Sequence, residues 1–325
     1  MVSLHKVKIS CPVCDSNKYS IVVVDKDRLM GFPGEFNLVR CTSCGPKYLN
    51  PQLDSFTLRY YYSGEYPGNS TINLASIVKG RNLKSKLLKV MYFHLRMHVL
   101  KDILKVCEIN KNTKLLDIGC GNGGFLYFMK EKIGIKGDGI EISKDSADFA
   151  SKKLGLNIIN SSVEDATIKG KYDLITAFQY FEHEPDPNRL LKKVHSSLND
   201  NGVLLLELPN ANSLMFRIFK KYWYNLDIPR HLYNYSPETV TKILEKNGFS
   251  VKRIVKYKDV SFVSSFLNSI GLGIKVRKLA NLPIYLSIPL YYLPELVVDS
   301  LVSLLTKPFF DTDIMAVYAT VRKFG

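Results

Sequence analysis

The sequence predicts an α/β fold, a doubly wound sheet preceded by a small metal-binding unit, and three observations lead there. An apolar strand, Leu115–Ile118, runs into Gly119-Cys-Gly-Asn-Gly-Gly124 and then into the helical pattern Phe125-Leu-Tyr-Phe-Met-Lys130. The glycine loop therefore sits at the carboxyl end of a strand and opens a helix, where backbone can approach a ligand closely. Next, the short strand Lys136-Gly-Asp-Gly-Ile140 ends in Glu141, so strand and helix alternate as in a parallel sheet. Finally, four of the six cysteines form two Cys-x-x-Cys pairs at the start of the chain.

Composition sets the bounds. With 325 residues, 46% hydrophobic and 23% charged, the chain can bury a large core and is too apolar for a disordered protein. Its net charge of +15 suggests contact with phosphate, nucleic acid or an anionic membrane face, and by itself excludes little. Six cysteines are too sparse for a disulfide scaffold, and Met1–Ser10 lacks the apolar core of a signal peptide. A reducing cytoplasm is the expected location.

Cys11-Pro-Val-Cys14 and Cys41-Thr-Ser-Cys44-Gly45 are separated by residues 15–40, in which Tyr19–Val24 and Glu35–Arg40 read as a hairpin. Two knuckles joined by a hairpin make a zinc ribbon with Cys11, Cys14, Cys41 and Cys44 as ligands. A redox pair or buried small hydrophobes are the competing readings of a lone Cys-x-x-Cys. Four sulfurs leave no open coordination position, so the metal's expected role is structural. Cys107 and Cys120 are left over, the first as core and the second within the glycine loop.

Gly119-x-Gly121-x-x-Gly124 satisfies the dinucleotide fingerprint, and Glu141 is placed to accept both ribose hydroxyls of a nucleoside. The spacing alone does not separate NAD from an adenosyl ligand. A solvated strand end is the competing reading of Glu141.

The run Leu116-Asp-Ile-Gly-Cys-Gly-Asn-Gly123, with Asp117 before the first glycine, resembles the first motif of class I S-adenosylmethionine-dependent methyltransferases. Further matches follow in order: Glu141; Ser161-Ser-Val-Glu-Asp165 after a strand at 157–160; a strand at 171–178; Glu182-His183-Glu-Pro-Asp-Pro187 before a helix at 188–198; a strand at 202–209; and Arg230-His231-Leu-Tyr-Asn-Tyr-Ser-Pro-Glu-Thr239, with a helix ending at Asn247-Gly248-Phe249. The resemblance covers roughly residues 110 to 260 plus the final strand. It implies a Rossmann-like seven-stranded sheet whose last strand is antiparallel, and S-adenosylmethionine as cofactor. On this resemblance Asp117 would hold the ammonium end, while Gly119, Gly121 and Gly123 let backbone pass close to the methionine part. Glu141 would take the ribose hydroxyls, Ser162 and Val163 would flank the adenine, and Phe178 and Gln179 would border the methyl-transfer cavity. Core packing is the alternative for Phe178. The amino end is similar to methyltransferases in which such a ribbon precedes an Asn-Pro and a tyrosine-rich segment, here Asn50-Pro51 and Tyr60-Tyr-Tyr62 to Tyr66. Many of that group act on sugars of cell-surface polysaccharides or antibiotics, others on small metabolites.

Methyl transfer from a sulfonium is an in-line displacement, so catalysis is chiefly positioning, with a base added when the acceptor holds a proton. His183 and His231 are the candidate bases, because imidazole titrates near neutrality. Tyr180 and Tyr233 are weaker candidates. Fixing the Pro185/Pro187 loop is the bland alternative for His183. For His231 it is a backbone hydrogen bond at the entrance to the next helix.

Two segments fall outside this pattern. Lys79 to Lys105 reads as a basic amphipathic helix in which Leu87, Leu88, Met91, Leu95, Val99 and Ile103 cap the sheet. Its charges suit a phosphorylated acceptor or an anionic membrane. Between the strands at 250–257 and 314–321, a hydrophobic insertion (258–312) holds two uncharged runs, Val260–Ile274 and Leu279–Pro294. Both are shorter than the roughly 18–20 apolar residues that cross a bilayer. A lid, a homodimer interface or a peripheral membrane hairpin would bury residues 260–307. The expected division is a zinc ribbon at 1–50, a tyrosine-rich and basic helical connector at 51–110, and a methyltransferase domain at 111–325. The expected acceptor is a small molecule or glycosyl unit, methylated on oxygen or carbon. The competing classes are a nicotinamide-dependent oxidoreductase, disfavoured by Asp117, and an RNA-binding ribbon protein, disfavoured by the lack of stacking aromatics among the basic residues. Nucleic acid is therefore not an expected partner.

Overall fold

The computed structural model of the chain describes residues 4–62, 83–257, 269–270 and 312–322. In chain order the strands are β1 (Lys6–Val7), β2 (Tyr19–Asp25), β3 (Phe36–Cys41), β4 (Lys47–Leu49), β5 (Gln52–Leu53), β6 (Leu115–Ile118), β7 (Asp138–Glu141), β8 (Asn157–Asn160), β9 (Tyr172–Phe178), β10 (Leu198–Pro209), β11 (Tyr233–Asn234), β12 (Phe249–Tyr257) and β13 (Ile314–Val321). The helices are α1 (Ser55–Tyr60), α2 (Leu83–Ile103), α3 (Gly124–Ile133), α4 (Lys144–Leu154), α5 (Pro187–Ser197), α6 (Leu214–Phe219) and α7 (Pro237–Lys246). Tyr66, Lys79 and most of the expected 258–312 insertion lie outside the described residues, as do the side chains of Leu87, Leu88, Met91 and Leu95. No helix among the described residues is long and apolar enough to cross a membrane.

Seven strands form one sheet in the order β12-β13-β10-β9-β6-β7-β8. β13 runs antiparallel to both its neighbours, β10 and β12, and the other described pairings are parallel. Strand alternation divides the core into two faces. Along β10, Leu204, Leu206 and Leu208 join one cluster and Val203 and Leu205 the other; along β13, Met315, Val317 and Ala319 oppose Ala316 and Tyr318. The first face carries α5 and α7, through Leu190, Leu191, Val194, Val240, Ile243 and Leu244. The second carries α2, α3 and α4, through Phe93, Ile103, Phe125, Phe128, Ala150 and Leu154. Helix ends follow their capping residues: Ser143, Asp186 and Ser236 accept from the backbone at the starts of α4, α5 and α7, and Gly134 and Gly155 end α3 and α4 in the left-handed region.

The amino-terminal unit forms a four-stranded sheet, β11-β4-β3-β2, whose last member comes from residues 233–234. Its interior, including Phe36, Leu38 and Tyr48, is continuous with the first face of the large sheet. Polar ties add to this: the Leu49 N–H donates to the Leu232 carbonyl (2.9 Å), and Lys242 and Lys246 donate to the carbonyls of Cys44 and Pro12.

The deepest tie is ionic. Arg230 is fully buried, and its five N–H groups are all committed: to both oxygens of Asp27 (2.9 and 2.7 Å), to Asp227 Oδ1 twice (2.8 and 2.6 Å) and to the Tyr61 carbonyl (3.2 Å). Complete pairing is what makes a charge tolerable there. Asp27→Ala would leave that guanidinium half-paired in the interior. The expected loss of stability is about 3–5 kcal/mol, measured by urea unfolding against the parent chain.

Candidate active site

The four amino-terminal cysteines converge. Sγ–Sγ separations are 3.1 Å (Cys14–Cys44), 3.5 Å (Cys11–Cys44), 3.6 Å (Cys14–Cys41) and 3.7 Å (Cys41–Cys44). A tetrahedron of sulfurs about 2.3 Å from a zinc ion has edges of about 3.8 Å, so a small outward movement of the sulfurs would convert this cluster into a filled site. Both knuckles close in the same way. The N–H of Asp15 donates to the Cys11 carbonyl (2.9 Å) and that of Gly45 to the Cys41 carbonyl (3.1 Å), and both residues sit at positive φ (58° and 97°). That backbone turn aims each pair of thiols at one point.

The large sheet places the second site. Strand order reverses between β6 and β9, the position at whose carboxyl ends open α/β sheets form their ligand crevice. Asp117, buried on β6, accepts from the Thr176 hydroxyl of β9 (2.6 Å). Burial pushes its carboxyl up to about 7; Glu141 and Glu207 add to the rise, while the Thr176 hydroxyl and Arg96 oppose it. The loop after β6 turns through Gly119, Gly121 and Gly123 at φ of 66°, 54° and 77°. Nothing lies within 4 Å of the position a Cβ would take on Gly121, so the loop offers open space to a ligand, whereas a Cβ on Gly123 would meet Leu156 at 2.5 Å. Glu141, at the end of β7, accepts from the Gly121 N–H (2.8 Å) and the Ser143 N–H (2.6 Å). Its carboxylate braces the loop, with further lone pairs on both oxygens. Burial raises its pKa. Ser162 donates to Asp165 (2.7 Å) and accepts from its N–H, and Val163 is buried. Phe178 packs on Phe125 with ring centroids 4.6 Å apart, and Gln179 follows at φ 49°, its N–H donating to the Glu207 carbonyl (2.8 Å). A strained non-glycine residue at a strand end is a common feature of functional sites.

Tyr180 lies over Gly119 and donates to Glu184 (2.9 Å), so its hydroxyl is engaged. His183 and His231, far apart in sequence, meet edge to face with centroids 4.5 Å apart. His231 Nδ1 lies 2.8 Å from the Asn225 carbonyl; His183 Nδ1 lies 3.1 Å from the Arg230 carbonyl and 2.8 Å from the Tyr62 hydroxyl. Burial holds the His183 imidazole neutral, down to about 3, with His231 adding to the effect. Glu182, 1% exposed, is raised to about 8 by burial and by Glu207 and Asp227. Tyr233 donates to the Pro185 carbonyl inside the joint between the two sheets.

Sequence reasoning missed two residues here. Arg96 was one of the helix charges read as suiting a phosphorylated acceptor or an anionic membrane, but the guanidinium lies over the Phe178 ring (5.4 Å to centroid), and its charge acts on Asp117. The signal was present: positions 92, 96, 99 and 103 share one helical face, and Arg96 is the charge on it. Tyr62 belonged to a noted tyrosine cluster without an assigned task. Its hydrogen bond to His183 spans 121 residues, beyond what local pattern can reveal.

A family model described as a methyltransferase domain matches residues 92–254, just over half of the chain. Ubiquinone biosynthesis O-methyltransferase of Glaesserella parasuis serovar 5 (strain SH0165) is 26% identical over 177 residues, 47% of this chain and 75% of that protein. Its namesake from Coxiella burnetii (strain Dugway 5J108-111) is 31% identical over 135 residues, 39% of this chain and 54% of that protein. The chain thus spans about half to three quarters of the length of these relatives. Among solved structures, a Galdieria sulphuraria protein described as a sarcosine dimethylglycine methyltransferase matches with a TM-score of 0.50 at 13% identity, over 70% of this chain and 86% of that one. That likeness concerns the fold.

A methyl group on Gly119 would overlap the Tyr180 ring and sit on a backbone at φ 66°. Gly119→Ala is expected to cost about 1–3 kcal/mol in thermal or urea unfolding, and Gly121→Ala less, since only its positive φ opposes the added carbon.

Proposed function

The chain belongs to the family of methyltransferase domains that use S-adenosylmethionine, and from that premise we propose that it methylates oxygen, or else carbon, of a small-molecule or glycosyl acceptor, in polysaccharide or secondary-metabolite assembly. The observation that carries this reading is the meeting of His183, His231 and Tyr62 just beyond the cofactor crevice. An amine acceptor needs only a free lone pair, whereas a hydroxyl or carbon acceptor has a proton to lose. The names of the two ubiquinone-pathway relatives support oxygen.

S-adenosylmethionine, when bound, supplies a methyl on a sulfonium that leaves in an in-line displacement. In this reading Asp117 holds the ammonium, directly or through water, and Arg96 faces the carboxylate. The loop at Gly119, Gly121 and Gly123 lets the chain approach, Glu141 accepts the ribose hydroxyls, and Ser162 and Val163 flank the base. Phe178 and Gln179 border the reacting methyl, and Tyr180 walls that side with its ring. His183 and His231 handle the acceptor's proton, with Tyr62 fixing the His183 ring. The division into a ribbon at 1–50, a connector at 51–110 and a methyltransferase domain at 111–325 is part of the proposal, with zinc at Cys11, Cys14, Cys41 and Cys44 as a structural ion.

Radiolabelled S-adenosylmethionine offered with catechols, hydroxylated quinols and nucleotide sugars should label one of these on oxygen or carbon. Transfer to amines or RNA alone would overturn the acceptor assignment. Because Asp117 is held up near 7 and the ammonium favours its ionised form, affinity for S-adenosylhomocysteine should rise with pH. Calorimetry is expected to show roughly tenfold tightening between pH 6 and pH 8, weak and flat in Asp117→Asn. For the ribbon, metal analysis should find one zinc per chain, with Cys14→Ser losing it and melting earlier.

A further inference from the structure

Cofactor binding leaves one buried acid without a task. Neither carboxyl oxygen of Glu182 has a hydrogen-bond partner, although the residue is 1% exposed. Its Oε1 lies 4.0 Å from His231 Nε2, and one ligand atom from each of Glu182, His183 and His231 falls within 4.8 Å of the other two.

The hydrogen bonds fix which atoms carry lone pairs. A carbonyl only accepts, so the proton of His231 sits on Nδ1, facing the Asn225 carbonyl, and Nε2 is bare. His183 presents Nδ1 to the Arg230 carbonyl, with the Tyr62 hydroxyl alongside, and the same reasoning leaves its Nε2 bare. Two imidazole lone pairs and a carboxyl therefore share one small space. Asp227 Oδ2, also 4.0 Å from His231 Nε2, adds negative charge. Asp27 and Asp227 already exceed the single guanidinium of Arg230 by one negative charge, and Glu182, held protonated by burial and its acidic neighbours, would ionise on binding a cation. A donor hydrogen would answer one of these atoms; a divalent cation would answer all of them.

We propose that Glu182, His183 and His231 bind a divalent first-row transition cation at the acceptor end of the crevice. Two imidazoles and a carboxylate suit manganese, iron, cobalt or zinc, and differ from the all-sulfur set of the amino-terminal cysteines. The use of such an ion rests on the methyl-transfer reading: with the ion bound, the two histidines would act through it rather than as bases, an acceptor hydroxyl meeting it would lose its proton to water, and its oxygen would bond to the methyl carbon as the carbon–sulfur bond breaks. Binding of the ion itself needs no acceptor.

The test uses the full chain carrying one zinc ion per molecule, freed of excess zinc and titrated with manganese(II), following free Mn2+ by electron paramagnetic resonance. The proposal expects one Mn2+ per chain and roughly tenfold or more weaker binding in the isosteric Glu182→Gln. Circular dichroism confirms that each variant is folded, and His231→Ala gives a second reading. Absence of bound Mn2+ at millimolar concentration, or binding indifferent to Glu182→Gln and His231→Ala, overturns it. Calorimetry with S-adenosylhomocysteine on the same samples separates failure of the cation site from failure of the methyl-transfer reading.

Discussion

The buried guanidinium of Arg230 is the constraint on which the rest of the structure depends. Arg230 carries a charge where none is tolerated unpaired, and so dictates its surroundings. Asp27 must arrive from the amino-terminal sheet, Asp227 from the turn before it, and the Tyr61 carbonyl from the end of α1. The Arg230 backbone carbonyl then faces His183, and His231 is the next residue. One ion cluster thus joins the amino-terminal sheet, the end of α1 and the segment before β11, and through the Arg230 carbonyl it meets His183 in the loop after β9. Apolar residues of similar volume could pack that space with comparable stability, but would not set the position of the histidines.

At the other end of the crevice the electrostatics run the same way. Asp117, Glu141 and Glu207 lie at the carboxyl edge, and burial raises the pKa of Asp117 and Glu141. Arg96 is the positive charge acting on this group. Such a crevice favours a ligand that brings its own positive charge. A sulfonium with an ammonium group does so, whereas a pyrophosphate would meet these acids as a like charge. This preference follows from which residues the parallel strands deliver to one edge, and it agrees with Asp117 standing before the first glycine.

Much of the fold was legible in the sequence, because strand and helix periodicity survive in short windows. Leu115–Ile118, Asn157–Asn160 and Ile314–Val321 match the observed strands to the residue. β10 begins earlier, at Leu198, because its register on β9 shifts between Leu198 and Val203, an irregularity with no local signature. The groups at the carboxyl edge of the sheet were legible because they follow strand ends in order. The histidine cluster was half legible: the two histidines stood out, but Glu182, Tyr62 and Arg96 gain meaning only from neighbours scores of residues away. Arg96 is the instructive case. A charge on the buried face of an amphipathic pattern indicates a polar site beneath the helix, and counting charges along the chain hides it.

The ribbon then acquires a role beyond ballast. A unit of about fifty residues cannot bury enough apolar surface to stand alone, and its sheet is completed by β11, which begins two residues after His231. The cysteine knuckles fix β3 and β4; β4 pairs with β11, and the Leu49 N–H holds the Leu232 carbonyl beside His231. Each step is a backbone hydrogen bond or a buried contact, so loosening the cysteine cluster moves the strand that positions His231. The same unit supplies Asp27 to Arg230 and leads through α1 to Tyr62, which meets His183. The amino-terminal sheet is therefore tied at both histidines, and on the proposed reading it would wall the acceptor side and share in acceptor selection with the large sheet.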